Sequence, residues 1–333
     1  MKRIIVFLLL PFSLMGQNTI GLPEIVNHTK QSYGAGLQNW DIKQDETGLI
    51  YMANNEGLLT YDGSYWHLYP LPNKTIVRAI ALKEEKIFVG GQDELGYFSP
   101  TENGTLAYHS LVSALPSKVR SFGDVWDIVS INKQVFFRTS GAIFKLSGER
   151  MSVYTPNSEW SFLGVSEGKI YAHDFKTGLK TFEENMWVPL PNQDKLPPSV
   201  IPTAILPLKN GKSLLSTLKH GLYTIDKNGI AKLQKSTNSL FENERIYSAT
   251  AIDGKSVALA TTNGGLYVIN LNGDIIQGFS KREGLQTNNI LSVFADKEYN
   301  LWLGLDNGID FVAYNSPIKQ LNPLLQNASG YTA

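Results

Sequence analysis

At 333 residues the chain is longer than one minimal domain, and its 42% hydrophobic and 18% charged residues exclude intrinsic disorder. Thirty basic residues balance thirty acidic ones without a long run of either sign, which excludes the basic stripe that a nucleic-acid backbone requires. Cysteine is absent, so disulfides, thiolate chemistry, thiolate metal sites and lipoprotein attachment are excluded as well.

The first element in the chain is a secretory signal over residues 1–17. Lys2 and Arg3 precede the apolar run Ile4 to Leu10, and Gly16 supplies a small residue near its end. The run is too short to span a bilayer, so the expected location is periplasmic. Residues 18–36 read as a lead segment. A self-similar unit then begins: a polar turn, a short apolar strand, a polar loop, a Gly and a second short strand. Its clearest copies are Asp45-Glu-Thr-Gly-Leu-Ile-Tyr-Met-Ala-Asn-Asn-Glu-Gly57 and Asp296-Lys-Glu-Tyr-Asn-Leu-Trp-Leu-Gly-Leu-Asp-Asn-Gly308. The intervening copies end at Gly96, Gly141, Gly178, Gly221 and Gly265. The successive spacings are 39, 45, 37, 43, 44 and 43 residues, the period of a four-stranded propeller blade.

Each copy has a strand before the motif, such as Asn39-Trp-Asp-Ile or Val125-Trp-Asp-Ile-Val. A tight turn follows it, such as Asp62-Gly63 or Asn272-Gly273, where Gly and Asn supply the positive φ that hairpins need. A fourth, outer strand completes the unit, and no helical period appears beyond the signal. A single sheet has two apolar faces and cannot bury both. The first and last copies, around Tyr51 and Trp302, are the most apolar, so an open stack would leave its ends wet. The expected fold is therefore all-β, a seven-bladed β-propeller of four-stranded antiparallel blades over residues 37–315. Residues 316–333 read as the truncated start of a further repeat or a linker, because Gly330-Tyr-Thr-Ala echoes Ile246-Tyr-Ser-Ala.

Asn300-Leu-Trp-Leu-Gly-Leu-Asp-Asn-Gly-Ile resembles the two-component regulator propeller repeat. Tyr33-Gly-Ala-Gly-Leu-Gln-Asn-Trp-Asp-Ile and Val89-Gly-Gly-Gln-Asp-Glu-Leu-Gly-Tyr-Phe resemble the sensor half of bacterial ligand-sensing transcriptional regulators. In that family periplasmic propellers precede a triple-tyrosine β-sandwich, a membrane span and an output module, often helix-turn-helix. The resemblance implies extracytoplasmic ligand sensing, with membrane anchoring and any dimer formation residing in regions beyond this chain.

Propellers bind ligands over the ring axis, on loops between blades and on loops inside each blade. The first set carries Asn39, Trp40, Arg78, Asp124, Trp126, Arg245 and Asn289; the second carries Asn54, Asn55, Gln92, Asp93, Arg138, His173, His220, Asn263 and Asp306. Amide, charged and aromatic groups together suit a small polar ligand such as an oligosaccharide, rings covering sugar faces and amides fixing hydroxyls. Trp40 and Trp126, each followed by Asp-Ile, read more readily as blade-packing residues because they recur at equivalent positions, and the Asn and Asp before each Gly read equally as turn-formers. A protein-binding scaffold is the alternative reading. A lyase-like enzyme is a third, with His173 and His220 in equivalent loops of adjacent blades as its only candidate bases. The motifs of hydrolases, phosphate loops and zincins are missing from the sequence, so no catalytic residue, metal site or cofactor is assigned.

Overall fold

Runs such as Ile50–Asn54 and Leu301–Leu305 are apolar at nearly every position, where an exposed sheet would alternate. They are buried along their whole length because each lies in the middle of a sheet covered on both faces. The computed structural model describes residues 21–234, 237–321 and 330–332, so the signal expected over 1–17 lies outside them. No helix among the described residues is long and apolar enough to cross a membrane.

Seven four-stranded antiparallel sheets form a ring, as the repeat predicts. Their innermost strands are Asn39–Gln44, Val77–Lys83, Asp127–Ile131, Trp160–Ser166, Pro202–Pro207, Ile246–Ala251 and Ile290–Ala295. Each touches the innermost strands of both neighbours, the last returning to the first. In blades 1 to 6 the strands run outward in chain order. Blade 7 takes its inner three from Ile290–Ala295, Leu301–Leu305 and Gly308–Val312, and its outermost from the other end of the chain. That outermost strand is Ile25–His28, paired antiparallel with Ile25 opposite Val312 and His28 opposite Ile309. The ring therefore takes in residues ahead of position 37.

Side chains secure this closure. Asn27 Nδ2 donates to Asp310 Oδ1 at 2.6 Å, and Gln286 donates to the same carboxylate from its backbone N (3.0 Å) and from Nε2 (2.8 Å). Asp310 is fully buried; burial raises its carboxyl, and these three donors pull it back. His28 lies in an aromatic box, stacked on Trp302 (6.0 Å between ring centres) and edge-on to Trp66 (5.3 Å), with Tyr61 at 5.8 Å. Beyond blade 7, Leu22 and Gln320 exchange backbone hydrogen bonds of 3.0 and 2.8 Å, and Lys319–Leu321 pairs with Gly330–Thr332.

Blades 1 and 7 do bury each other, through Trp302 against Ile42, Ile50, Met52 and Leu59. Tyr51 points the other way, to Val77, Ile87 and Val89 of blade 2, because successive side chains of a strand face opposite sides. Among the described residues, short helices depart from the expectation of strands only: Lys30–Tyr33, four single 3-10 turns and one longer element. A two-turn helix, Thr237–Glu244, links blades 5 and 6 and buries Phe241 among Leu214, Leu222, Ile246 and Leu259. Its two apolar residues are adjacent in sequence, so no helical period shows.

Candidate functional site

Six of the seven innermost strands carry a β-bulge at their second residue, the register slipping at Trp40, Arg78, Ser161, Thr203, Tyr247 and Leu291. An extra residue there bends the strand and turns its side chain out of the ladder, here toward the axis. Blade 3 has no bulge, but Trp126 stands at the matching place, its backbone N donating to Arg138 O at 2.8 Å. These seven residues line one cavity of about 610 Å³ at the ring axis, to which every blade contributes.

Within it Arg78 lies in the corner of two indoles set edge to face (81° apart, ring centres 6.4 Å), its guanidinium carbon 4.4 Å from the Trp40 ring centre and 4.3 Å from that of Trp126. Cation–π attraction of this kind gives the Arg a fixed position at the cavity wall. Its Nε lies 2.9 Å from Asp124 Oδ2, an ion pair without hydrogen-bond alignment, so Nε and Nη1 find no acceptor among the described residues. Trp40 Nε1 donates to Asn55 Oδ1 at 2.8 Å, which fixes the first indole. Arg138 pairs through Nε with Asp127 and donates from Nη1 to Trp160 O at 2.9 Å. The Tyr247 phenol is held in its protonated form mainly by burial, partly offset by the nearby Arg78 and Arg138.

The aspartates of the two Trp-Asp-Ile stretches do a structural job. Asp41 Oδ2 accepts from Ile80 N (3.0 Å) in blade 2, and Asp127 Oδ2 from Leu163 N (2.9 Å) in blade 4. Ser292 Oγ likewise donates to Asn39 O (3.2 Å), linking blade 7 to blade 1. The Trp lines the cavity while its neighbouring Asp ties one blade to the next.

Of the residues expected from sequence, Trp40, Arg78, Trp126 and Arg138 meet in this cavity. Asn39, Asn54 and His173 lie at the strand ends of the same face, and the others stand on its loops. That face is built by a repeated backbone bond from the loop inside a blade to the connection entering it. Asn55 N bonds Gln38 O, Phe175 N bonds Glu159 O, Leu218 N bonds Ile201 O and Thr262 N bonds Arg245 O, at 2.9–3.3 Å. Asn54 is fully buried, receiving Gly36 N (2.8 Å) and donating to Asn39 Oδ1 (2.8 Å). Asp93, at φ 53°, accepts from Phe122 N and Gly123 N, both at 2.7 Å, while the backbone O of Gln92 accepts from Asn73. Asn263 Nδ2 donates to Asn243 O (3.0 Å), and Asp306 Oδ2 accepts from Asn289 Nδ2 (3.0 Å). In this structure Asn54, Asp93 and Asn263 serve as loop braces.

His173 is 2% exposed and off the cavity wall, its Nδ1 2.6 Å from Ser161 Oγ; burial pushes its imidazole down to about 4. His220 also lies off the wall, with Nδ1 buried and unpartnered. Eight buried side-chain nitrogen and oxygen atoms among the described residues lack a hydrogen-bond partner. Seven of them, on Arg78, Gln193, His220, Arg245, Asn289 and Asp306, belong to this one face. Buried polar atoms are otherwise nearly always paired, so these unpaired groups set the face apart from the rest of the ring. Sequence reasoning missed Glu159, Ser161, Phe175, Thr203, Tyr247 and Leu291 on the wall. The signal that finds them is position: each is the second residue of an innermost strand or lies in the loops just above it.

The sequence matches no protein-family model and no curated protein. Among solved structures the ring is similar to the extracellular domain of a hybrid two-component system of B. thetaiotaomicron. The identity is 20% and the TM-score 0.69, over 90% of this chain and 41% of that one. A second such domain from the same organism is 18% identical with TM-score 0.69, covering 90% and 43%. A catalytically inactive virginiamycin B lyase from Staphylococcus aureus, with quinupristin, is 12% identical with TM-score 0.67, covering 86% and 98%. What they share with this chain is the propeller fold, and the chain spans about two-fifths of the length of the two extracellular domains.

Proposed function

We propose that this chain is the extracytoplasmic ligand-sensing propeller of a membrane-spanning signalling and transcription regulator, exported by its N-terminal signal. It takes a small polar ligand, such as an oligosaccharide, at the axial cavity. The observation that carries this reading is the Trp40–Arg78–Trp126 corner, two indoles edge to face with the guanidinium against both. Two aromatic planes and a guanidinium with free N–H groups stand together at a cavity lined from all seven blades. Rings of this kind cover the apolar face of a sugar while fixed donors select its hydroxyls. A ligand resting on loops of several blades transmits a signal only by favouring one arrangement of the receptor over another. The likeness to extracellular domains of two-component systems supports that setting.

A binding role is favoured over a lyase-like one because His173, the buried candidate base, is largely deprived of basicity and lies behind Ser161 instead of on the cavity wall. Titration calorimetry with a panel of neutral oligosaccharides tests the proposal. A ligand that binds the wild type should bind Trp126→Ala at least about tenfold more weakly, with the melting temperature of the free variant measured alongside. If no sugar binds while a protein partner raises the melting temperature, the scaffold reading replaces this one.

A further inference from the structure

The cavity wall carries three cations, Lys43, Arg78 and Arg138, and three carboxylates, Asp41, Asp127 and Glu159. Every cation is already committed. Lys43 Nζ is 2.5 Å from Asp41, Arg138 Nε is 2.5 Å from Asp127, and Arg78 Nε is 2.9 Å from Asp124 just above the wall. Glu159 differs. It is exposed at the mouth and has no ion-pair partner among the described residues. Its backbone carbonyl holds Phe175 N at 3.1 Å, which keeps Glu159 beside the exposed Phe175 on the wall.

We infer that the axial cavity takes a saccharide without acid groups, preferring one that carries an amine, and that Glu159 sets this selectivity. The inference rests on the sensor reading and narrows its ligand. An incoming carboxylate or sulfate finds each cation of the wall already balanced by a carboxylate, so it adds uncompensated negative charge to a site partly closed to water. It also meets the unneutralised charge of Glu159, which repels it. An amine meets the opposite: a free carboxylate and nearby aromatic faces, the two groups that hold an ammonium. A neutral sugar is admitted because it disturbs no pair. The unpaired N–H groups of Arg78 then serve hydroxyl oxygens, while its charge stays balanced by Asp124.

Two measurements on the wild type and on Glu159→Gln test this. The first needs no ligand. Trp40 and Trp126 line the cavity and are half-buried, so collisional quenching of their fluorescence by caesium and by iodide reports the charge there. Glu159→Gln should lower caesium quenching and raise iodide quenching, with acrylamide as the neutral control. The second is calorimetry with chitosan trisaccharide, its N-acetylated form and trigalacturonate. The amine form should bind at least about tenfold more tightly than the acetylated form, the acid form should not bind, and Glu159→Gln should erase the amine preference. Trigalacturonate binding more tightly than the acetylated form, or quenching unmoved by the substitution, overturns the inference. If quenching shifts as expected while none of the three sugars binds, the charge selectivity stands and the saccharide reading fails.

Discussion

His173 shows how much of this face is load and how much is site. Its imidazole is neutral because burial opposes its charge, an effect that the adjacent Asp174 offsets only in part. The folded value is about 4, below the ordinary 6.5, so the unfolded chain takes up this proton first as pH falls. The stability that His173 contributes is whole above pH 6.5 and is lost on descending to about 4. Over that window the unfolding free energy should drop by roughly 3 kcal/mol from this group, and His173→Gln should flatten that part of the profile in urea titrations. This explains why the sequence misleads at this position. A His read as a loop residue over the axis looks like a base, yet this one lies within the strand Lys169–Asp174, buried behind Ser161. Trp40, Arg78 and Trp126 are legible for the opposite reason, since a large polar-tipped residue opening an inner strand has only the axis to face. The bulges that bring Ser161, Tyr247 and Leu291 to the same ring leave no mark in composition, because a bulge is a matter of register.

Among elements, the strand Ile25–His28 matters most, because it is the only one in the ring whose blade is completed by a distant part of the chain. Four residues cannot hold by backbone pairing alone, and Asn27 adds the contact to buried Asp310. Asn27→Ala should cost about 1–3 kcal/mol by leaving that carboxylate short of a donor. Hydrogen exchange should then quicken first at Gly308–Val312, ahead of any other inner strand. The middle strands were plain in the sequence because burial on both faces makes them continuous apolar runs. The closing strand was not, since Ile-Val-Asn-His is half exposed and sits outside the repeat. The helix Thr237–Glu244 was hidden too. It docks by a single fully buried ring, Phe241, a tertiary contact that sequence periodicity does not register.

At the scale of the whole molecule, seven near-equivalent sheets with no free face make the architecture readable from spacing alone, while the manner of closure depends on where the chain happens to start. Because Ile25 lies opposite Val312, a short hairpin could join them. A circular permutant beginning at Leu37, with residues 21–36 placed after Val312 through such a turn, should fold and melt no lower than the parent in calorimetry. A lower melting temperature would mean that the tie between Leu22 and Gln320 contributes more than the hairpin gains. The same pairing has a mechanical side. Both tails leave the ring from one end of the same ladder, so tension applied between them does not shear the strand along its length; it peels the rungs one after another from Ile25 inward. Six blades would feel none of that pull, and the tether between whatever precedes this ring and whatever follows it would be a zipper with its tab already exposed.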